Sequence, residues 1–458
     1  MLLQKWMEDI KMADITKDRK KRSLKSVLTK NVVTLIFIFL TVAGIALSNL
    51  PVFYLASEML TRITRNTFLV LSLIIPITAG IGLNFGIIVG AMAGQIALII
   101  ALYFGWTGLG GLLLACVVAT PIAIFFGYLT GVLFNNTKGQ EMIAGLIVGF
   151  FANGIYQFLL LIVVGGIIPV KKVPMIKPDG VGLRNTIALD TNFGEVGLKY
   201  AFDDVFKVNL FHFMMIVGAV IIIYSLIRLI FRNKFQNVTN QKSKITYIIY
   251  TVLGAILIGF AYIILTASTG SFLFSGTDSS AIQSLNMLQT IQVPIFTLFL
   301  IFLIAVFNIV IMKTKLGQDF KSIGLSQHIA RVSGINVDRT RIIAVIMSTV
   351  LAAWGQIIFL QNVGTMNTYG SHMQVGLFAV AAILIGGATV KNANIGHGIL
   401  GIILFHAVFI VSPTAGKELF GDAQLGEFFR AFVVYGVIGV SLALHAWKNR
   451  KGLEDLGQ

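Results

Sequence analysis

Segment after segment of this chain exceeds the roughly 18 apolar residues that mark a transmembrane helix. None of these segments carries Asp, Glu, Lys or Arg at its centre. In hydrocarbon a backbone must satisfy its own N–H and C=O groups, so only helices and closed barrels can cross. Continuous apolar runs of this length specify helices, whereas barrel strands alternate over about ten residues. The sequence therefore predicts an all-α polytopic membrane protein with about ten to twelve transmembrane or broken helices. Composition agrees: 56% of the 458 residues are hydrophobic and 12% are charged, where soluble domains carry about a quarter charged residues.

Spans are expected at 32–50, twice within 67–104, and at 109–134, 142–168, 211–231, 245–267, 291–312, 342–361, 375–390, 395–411 and 428–447. The first is too long for a signal core and lacks a small-residue cleavage site, so it is expected to remain as a span. Cys116, the single cysteine, lies in an apolar segment, which leaves no disulfide framework and no cysteine metal site. If loops alternate sides, one set carries the whole net charge of +16 and the other sums to zero. Basic excess marks cytoplasmic loops, so both termini are expected inside. The resulting division is a basic cytoplasmic arm over 1–30, a transmembrane domain over 31–450 and a cytoplasmic tail over 451–458. Within the domain, 169–208 is an extracytoplasmic loop and 313–341 a cytoplasmic one. The basic residues flank spans and form no aromatic-interleaved groove, so the partner they imply is the lipid bilayer and not nucleic acid.

The loop over 313–341 sets Lys313, Lys315, Lys321, Arg331, Arg339 and Arg341 against Asp319 and Asp338. Ser326 is placed to N-cap a short helix, QHIARV, and Gly334 to stop it in a left-handed conformation. Ile329 and Val332 would share one face of that helix. Gly324 is expected to permit a sharp bend, and Ala330 the close approach of a partner.

The run through Gly317, Ile323-Gly324-Leu325, Ala330, Ser333-Gly334-Ile335-Asn336-Val337 and Arg339 resembles the coupling loop of bacterial ATP-binding-cassette importer permeases. The subgroup it most resembles serves ribose-type sugars, nucleosides and branched-chain amino acids. LAAWGQ and LFAVAAILIGGATVKNANIGHGILG continue the likeness, with Gly386, Gly387, Gly396 and Gly398 in place and Asn392 to Asn394 replacing a second glycine pair. AGIGLNFG is similar to a segment of the sugar permeases, with Gly82 where aspartate stands there and Asn84 where serine stands. The resemblance implies a permease subunit of the bacterial cell membrane. It implies a cytoplasmic ATP-binding subunit docked at Gly317, Ile323, Gly324, Ala330 and Gly334. It also implies a second permease copy or paralogue and an extracytoplasmic substrate-binding protein.

No G-x-x-x-x-G-K-[ST] loop is present, so ATP is expected on the partner subunit, with no cofactor and no enzymatic site in this chain. Uncharged spans argue against a proton relay and against an anion held by a buried cation. The polar residues within them, Asn84, Gln95, Asn153, Gln157, Gln356, Gln361 and Asn362, are candidates to line the path of a small polar solute, with a simple sugar or nucleoside favoured. Each is equally suited to bonding between helices. Gly- and Pro-interrupted regions at 76–94 and 386–398 suggest a site between two halves near mid-membrane. Asp203 and Asp204 read as solvated. The alternative is a stand-alone secondary transporter, sodium-coupled through backbone carbonyls at broken helices.

Sidedness is testable with single cysteines replacing Asn185 or Ser326 in a Cys116→Ala background. An impermeant thiol reagent on intact cells is expected to label the Asn185→Cys variant and spare Ser326→Cys; the reverse pattern would invert the arrangement.

Overall fold

The computed structural model describes residues 31–432, except 138, 169–174, 179, 191–196, 231–243 and 268–284, together with 435, 436 and 439. The expected arm over 1–30, the tail over 451–458 and most of the expected span 428–447 lie outside the described residues. In chain order come α1 (Val32–Ser48), α2 (Val52–Leu71), α3 (Ile74–Thr78), α4 (Ile87–Phe104), α5 (Gly108–Asn136) and α6 (Glu141–Phe158). Short strands β1 (Thr186–Ala188) and β2 (Lys207–Asn209) precede the hairpin of α7 (Leu210–Ile230) and α8 (Lys244–Ala267). Then follow β3 (Gln292–Pro294), α9 (Ile295–Ile311), α10 (Lys315–Leu325), α11 (Gln327–Val332), α12 (Val337–Val363), β4 (Thr365–Asn367), α13 (Ser371–Ile385) and α14 (Ile395–Phe420). Among the described residues eight helical segments are long and apolar enough to cross a membrane. The pair α9 and α10, bent by 75°, makes a ninth, and α1 and α13 are shorter apolar helices. This is the expected all-α polytopic architecture.

Helix α12 is the core element. Its start is set locally: Asn336 accepts from Arg339 N at 3.0 Å, and Asp338 lies in its first turn, at the positive end of the helix dipole. Its end is set by Gly364, which is left-handed with φ 76°, the conformation that suits glycine at a helix stop. Helices α4, α5 and α2 pack around it. Two G-x-x-x-G pairs bring backbones together. A Cβ on Gly90 or Gly94 would lie 2.6 Å from Thr349 O or 2.3 Å from Ala353 O, and one on Gly127 or Gly131 would lie 2.8 Å from Ile346 Cα or 3.0 Å from Ile342 Cα. Lipid tails are as apolar as leucine, so close van der Waals contact of this kind is what holds helices together in a bilayer. By contrast, α7 and α8 pack mainly on each other, through Gly218 and Gly254. Their outer faces, including Ile216, Val220, Ile249 and Ile256, are exposed, as suits contact with lipid.

Three details depart from the sequence reading. The stretch between the expected spans 32–50 and 67–104 is not a loop: Glu58, Arg62 and Arg65 lie within α2, part of one 27-residue span from Val52 to Thr78. Asp203 is not solvated. It is 3% exposed and accepts from Thr297 Oγ1 at 2.5 Å and Asn362 Nδ2 at 2.7 Å. Finally, α12 begins at Val337, so Arg341 belongs to its first turns and not to a loop. There Arg341, whose side chain is 1% exposed, pairs with Glu141 at the start of α6.

Removing one partner of a buried ion pair strands the other charge, at about 3–5 kcal/mol. Glu141→Ala is therefore expected to lower the thermal unfolding midpoint of the purified chain clearly, and Glu141→Leu with Arg341→Met to recover most of the loss. A midpoint unchanged in Glu141→Ala would show that the pair does not anchor α12.

Candidate functional site

The polar loop over 313–341 folds into two consecutive helices across one end of the bundle. Thr314 begins α10 as its N-cap, its hydroxyl accepting from Gly317 N at 3.3 Å. Phe320 and Ile323 are spaced to share a helix face. They are 0% and 1% exposed and hold α10 against the bundle. Gly317 allows the 75° bend: a Cβ there would lie 2.0 Å from Ile311 O at the end of α9. Ser326, in extended backbone at φ −158°, ends α10 and caps α11, accepting from Ile329 N at 3.3 Å. Gly334 stops α11 with φ 83°, the left-handed conformation that its placement predicts.

Two glycine and alanine expectations come out differently. Gly324 lies inside α10 without a positive φ, and the bend falls at Ser326. A Cβ on Gly324 would sit 2.2 Å from Thr78 O, so its smallness serves close contact with the end of α3. Ala330 faces inward, 1% exposed, packed with Ile323 and Val337. The outward face belongs to Leu325, Ile329 and Val332, which are 88%, 66% and 76% exposed. Three large apolar side chains thus project from a rigid, capped helix pair at the water-facing end of the bundle, where Lys315, Arg331 and Arg339 are also exposed.

The first chain break meets this element, and the second adjoins the first. After α3 the backbone turns through Gly80 (φ 72°) and Gly82 (φ 82°) before α4 begins. A Cβ on Gly80 would lie 2.8 Å from Gly324 Cα, and one on Gly82 would lie 3.8 Å from Val390 O in the second break. Asn394 restarts the chain as α14, its side chain accepting from His397 N at 2.9 Å. The two breaks therefore adjoin each other beside α10, at that end of the bundle and not midway along it.

Of the seven polar path candidates, Gln95, Asn153 and Gln157 come together around His372. Gln95 Nε2 donates to Asn367 O (3.0 Å) and Thr368 O (2.6 Å), which leaves its Oε1 to accept from His372 Nδ1 at 3.2 Å. His372 Nε2 lies 3.0 Å from Asn153 Oδ1, which also accepts from Gln157 Nε2 at 3.5 Å. Tyr156 OH donates to Thr368 O (2.9 Å) and Gln157 Nε2 to Tyr369 O (3.2 Å). Asn84 donates to Ser348 Oγ at 3.4 Å, and Gln356, fully buried, has no hydrogen-bond partner among the described residues. Gln361 and Asn362 hold the far loop: Gln361 Oε1 accepts from Phe202 N at 3.4 Å, and Asn362 binds Asp203.

That loop is stitched over the 365–369 turn. Antiparallel β1 and β4 pair Thr186 with Asn367, Thr368 N donates to Asn185 O at 2.8 Å, and Tyr369 OH to Leu183 O at 2.5 Å. Sequence reasoning passed over His372, Tyr156 and Ser348. A histidine and a tyrosine each opening or interrupting an apolar run were the available signals, but their partners come from distant segments. No group of three or more His, Cys, Asp or Glu residues is placed to hold a metal ion among the described residues.

The family described as branched-chain amino acid transport system / permease component matches residues 198–438. The probable ABC transporter permease protein YphD of Escherichia coli (strain K12) is 31% identical over 156 residues, 34% of this chain and 45% of that protein. The xylose transport system permease protein XylH of Haemophilus influenzae is 26% identical over 179 residues, 39% of this chain and 45% of that one. The nucleoside ABC transporter permease protein NupB of Lactococcus lactis subsp. cremoris is 30% identical over 129 residues, 26% and 32% of the two chains. The matches thus span less than half the length of these relatives. No solved structure matches.

Replacing Gln95 by Leu would leave the Asn367 and Thr368 carbonyls short of a buried donor, at about 1–3 kcal/mol. The Gln95→Leu variant is expected to lose stability and to raise thiol labelling at Tyr369→Cys in the Cys116→Ala background. Unchanged labelling would mean that Gln95 does not hold the turn.

Proposed function

Since this chain belongs to the branched-chain amino acid transport system / permease component family, we propose that it is the membrane-spanning permease subunit of a bacterial ATP-binding-cassette importer. It sits in the cell membrane as a multi-pass protein with both termini in the cytoplasm. Two copies, or this chain and a paralogue, enclose the path. A separate cytoplasmic subunit binds and hydrolyses ATP, and an extracytoplasmic binding protein delivers the solute to the face covered by the described parts of 169–208.

The observation that carries this reading is the capped helix pair α10–α11 with its projecting Leu325, Ile329 and Val332. Large apolar side chains in water are costly unless a partner covers them. Here they stand on a base made rigid by Phe320, Ile323 and Ala330, and that base touches the first chain break, which in turn adjoins the second. A push on α11 therefore reaches the segment 79–86, from which α4 departs. Gly317, Ile323, Gly324, Ala330 and Gly334 form the element that docks on the ATPase by giving it its shape, while the three projecting side chains make the contact.

The solute is a small polar one, a simple sugar or nucleoside. Apart from the paired Arg341 and Glu141 and the loop-bound Asp203, the interior offers uncharged amides and hydroxyls, and Asn84, Gln95, Asn153, Gln157 and Gln356 supply amides along α4, α6 and α12 and at the turn before α4. A cavity of about 490 Å³ beside the 365–369 turn is lined in part by Gln374, Phe378, Phe409 and Arg430. Its size suits such a solute.

The test is Ile329→Asp combined with Val332→Asp. Both positions face water, so expression and membrane insertion are expected to stay normal. Co-purification with the ATPase and solute-stimulated ATP hydrolysis are expected to fall at least about tenfold, as for loss of an interface anchor of about 2 kcal/mol. Wild-type association and uptake in that variant would end the assignment. Uptake driven by an ion gradient in liposomes holding the chain alone would replace it with the secondary transporter.

A further inference from the structure

A cavity of about 830 Å³ opens between the helix pair α10–α11 and the two chain breaks. Its floor is apolar, with Ile74, Ile309, Met312 and Ile395 among the lining residues. Three lysines, Lys313, Lys321 and Lys391, line it as well. They come from three different places in the chain: the turn after α9, the middle of α10 and the second break. All three are exposed, and none pairs with a carboxylate among the described residues. Lys321 donates to Met312 O at 3.1 Å, which leaves most of its charge unmet. Asn308 also lines the cavity. It is 2% exposed, its amide nitrogen donates to Ile304 O (2.9 Å) and Leu71 O (3.3 Å), and its Oδ1 has no donor among the described residues.

We propose that this cavity binds the headgroup of an anionic phospholipid from the cytoplasmic leaflet. Converging cations without counter-charges attract a phosphate, and each lysine near a membrane surface contributes appreciably to such binding. A free phosphate anion would meet the same lysines, but it has no use for an apolar floor. A diacyl lipid covers that floor with the glycerol-proximal part of its chains, and the lysine stems lie along the same surface. A headgroup hydroxyl can donate to Asn308 Oδ1, a buried acceptor left unmet among the described residues. Gly324 and Leu325 form part of the wall, so a bound lipid touches α10 from the membrane side while α11 presents its outer face to water. The inference takes from the proposed function only that this end of the bundle faces the cytoplasm.

Native mass spectrometry of the purified full chain, without any ATPase subunit, decides the matter. Micelles are doped with phosphatidylglycerol or with phosphatidylcholine, and retained lipid per chain is counted. Retention of phosphatidylglycerol over phosphatidylcholine is expected, falling roughly tenfold or more when Lys313, Lys321 and Lys391 are all replaced by Gln. The same three changed to Arg, and Lys315→Gln outside the cavity, are expected to retain lipid as the parent does. The triple Gln variant retaining lipid like the parent, the triple Arg variant losing it, or inorganic phosphate displacing it would each overturn the proposal. Because no ATP and no transport enter the measurement, failure of the importer reading would leave this result standing, and the reverse.

Discussion

The contact on which the rest of this structure depends is the approach of backbone to backbone along α12. Gly90, Gly94 and Gly127 face the backbone or Cβ atoms of residues 346–353 at distances that no side chain could share, and Gly131 meets Ile342 almost as closely. In water, apolar burial would drive such packing. In a bilayer it does not, because lipid offers an equivalent apolar surround. What remains is dispersion at short range, which falls steeply with separation and so rewards helices that can touch. That contact clamps α4 and α5 to α12, and it fixes where Asn84 meets Ser348.

The ends of α12 convert this clamp into a device. At one end Arg341 and Glu141, 200 residues apart in sequence, close the junction with α6. There α10 lies against the break at 79–86, Gly324 on Gly80, and the break at 386–394 adjoins the first through Val390 and Gly82. At the other end Gln361 and Asn362 hold the 198–203 segment, and the 365–369 turn pairs with 183–188. The helix thus links a water-facing apolar patch to a sewn-down cover. A rigid element with distinct contacts at both ends is the kind of part through which two sites can be coupled.

The polar groups inside the bundle are few and share their bonds. His372 joins Gln95 to Asn153, and Gln95 in turn closes the 367–368 turn. Gln356 stands apart, buried with neither amide atom bonded among the described residues. An unsatisfied buried amide is costly, and such groups persist where something else uses them. None of these side chains is a carboxylate, lysine or arginine.

Hydropathy alone determined that the chain is a helical, many-pass membrane protein, because the cost of burying charge and bare backbone in hydrocarbon applies to any window of sequence. Local chemistry likewise determined the cap at Ser326 and the left-handed stop at Gly334, since both depend on a few neighbouring residues. Only the tertiary structure decided which way those elements face. Ala330 turned inward and Leu325 outward because Ile323 and Val337 meet beneath α11. Gly324 serves a close approach and not a bend, because Thr78 lies against it. Asp203 is buried because Thr297 and Asn362 reach it from distant segments, and Glu58, Arg62 and Arg65 lie in a helix although they are charged. Burial and pairing are set by elements brought together from far along the chain, and no window of sequence contains both members of such a contact.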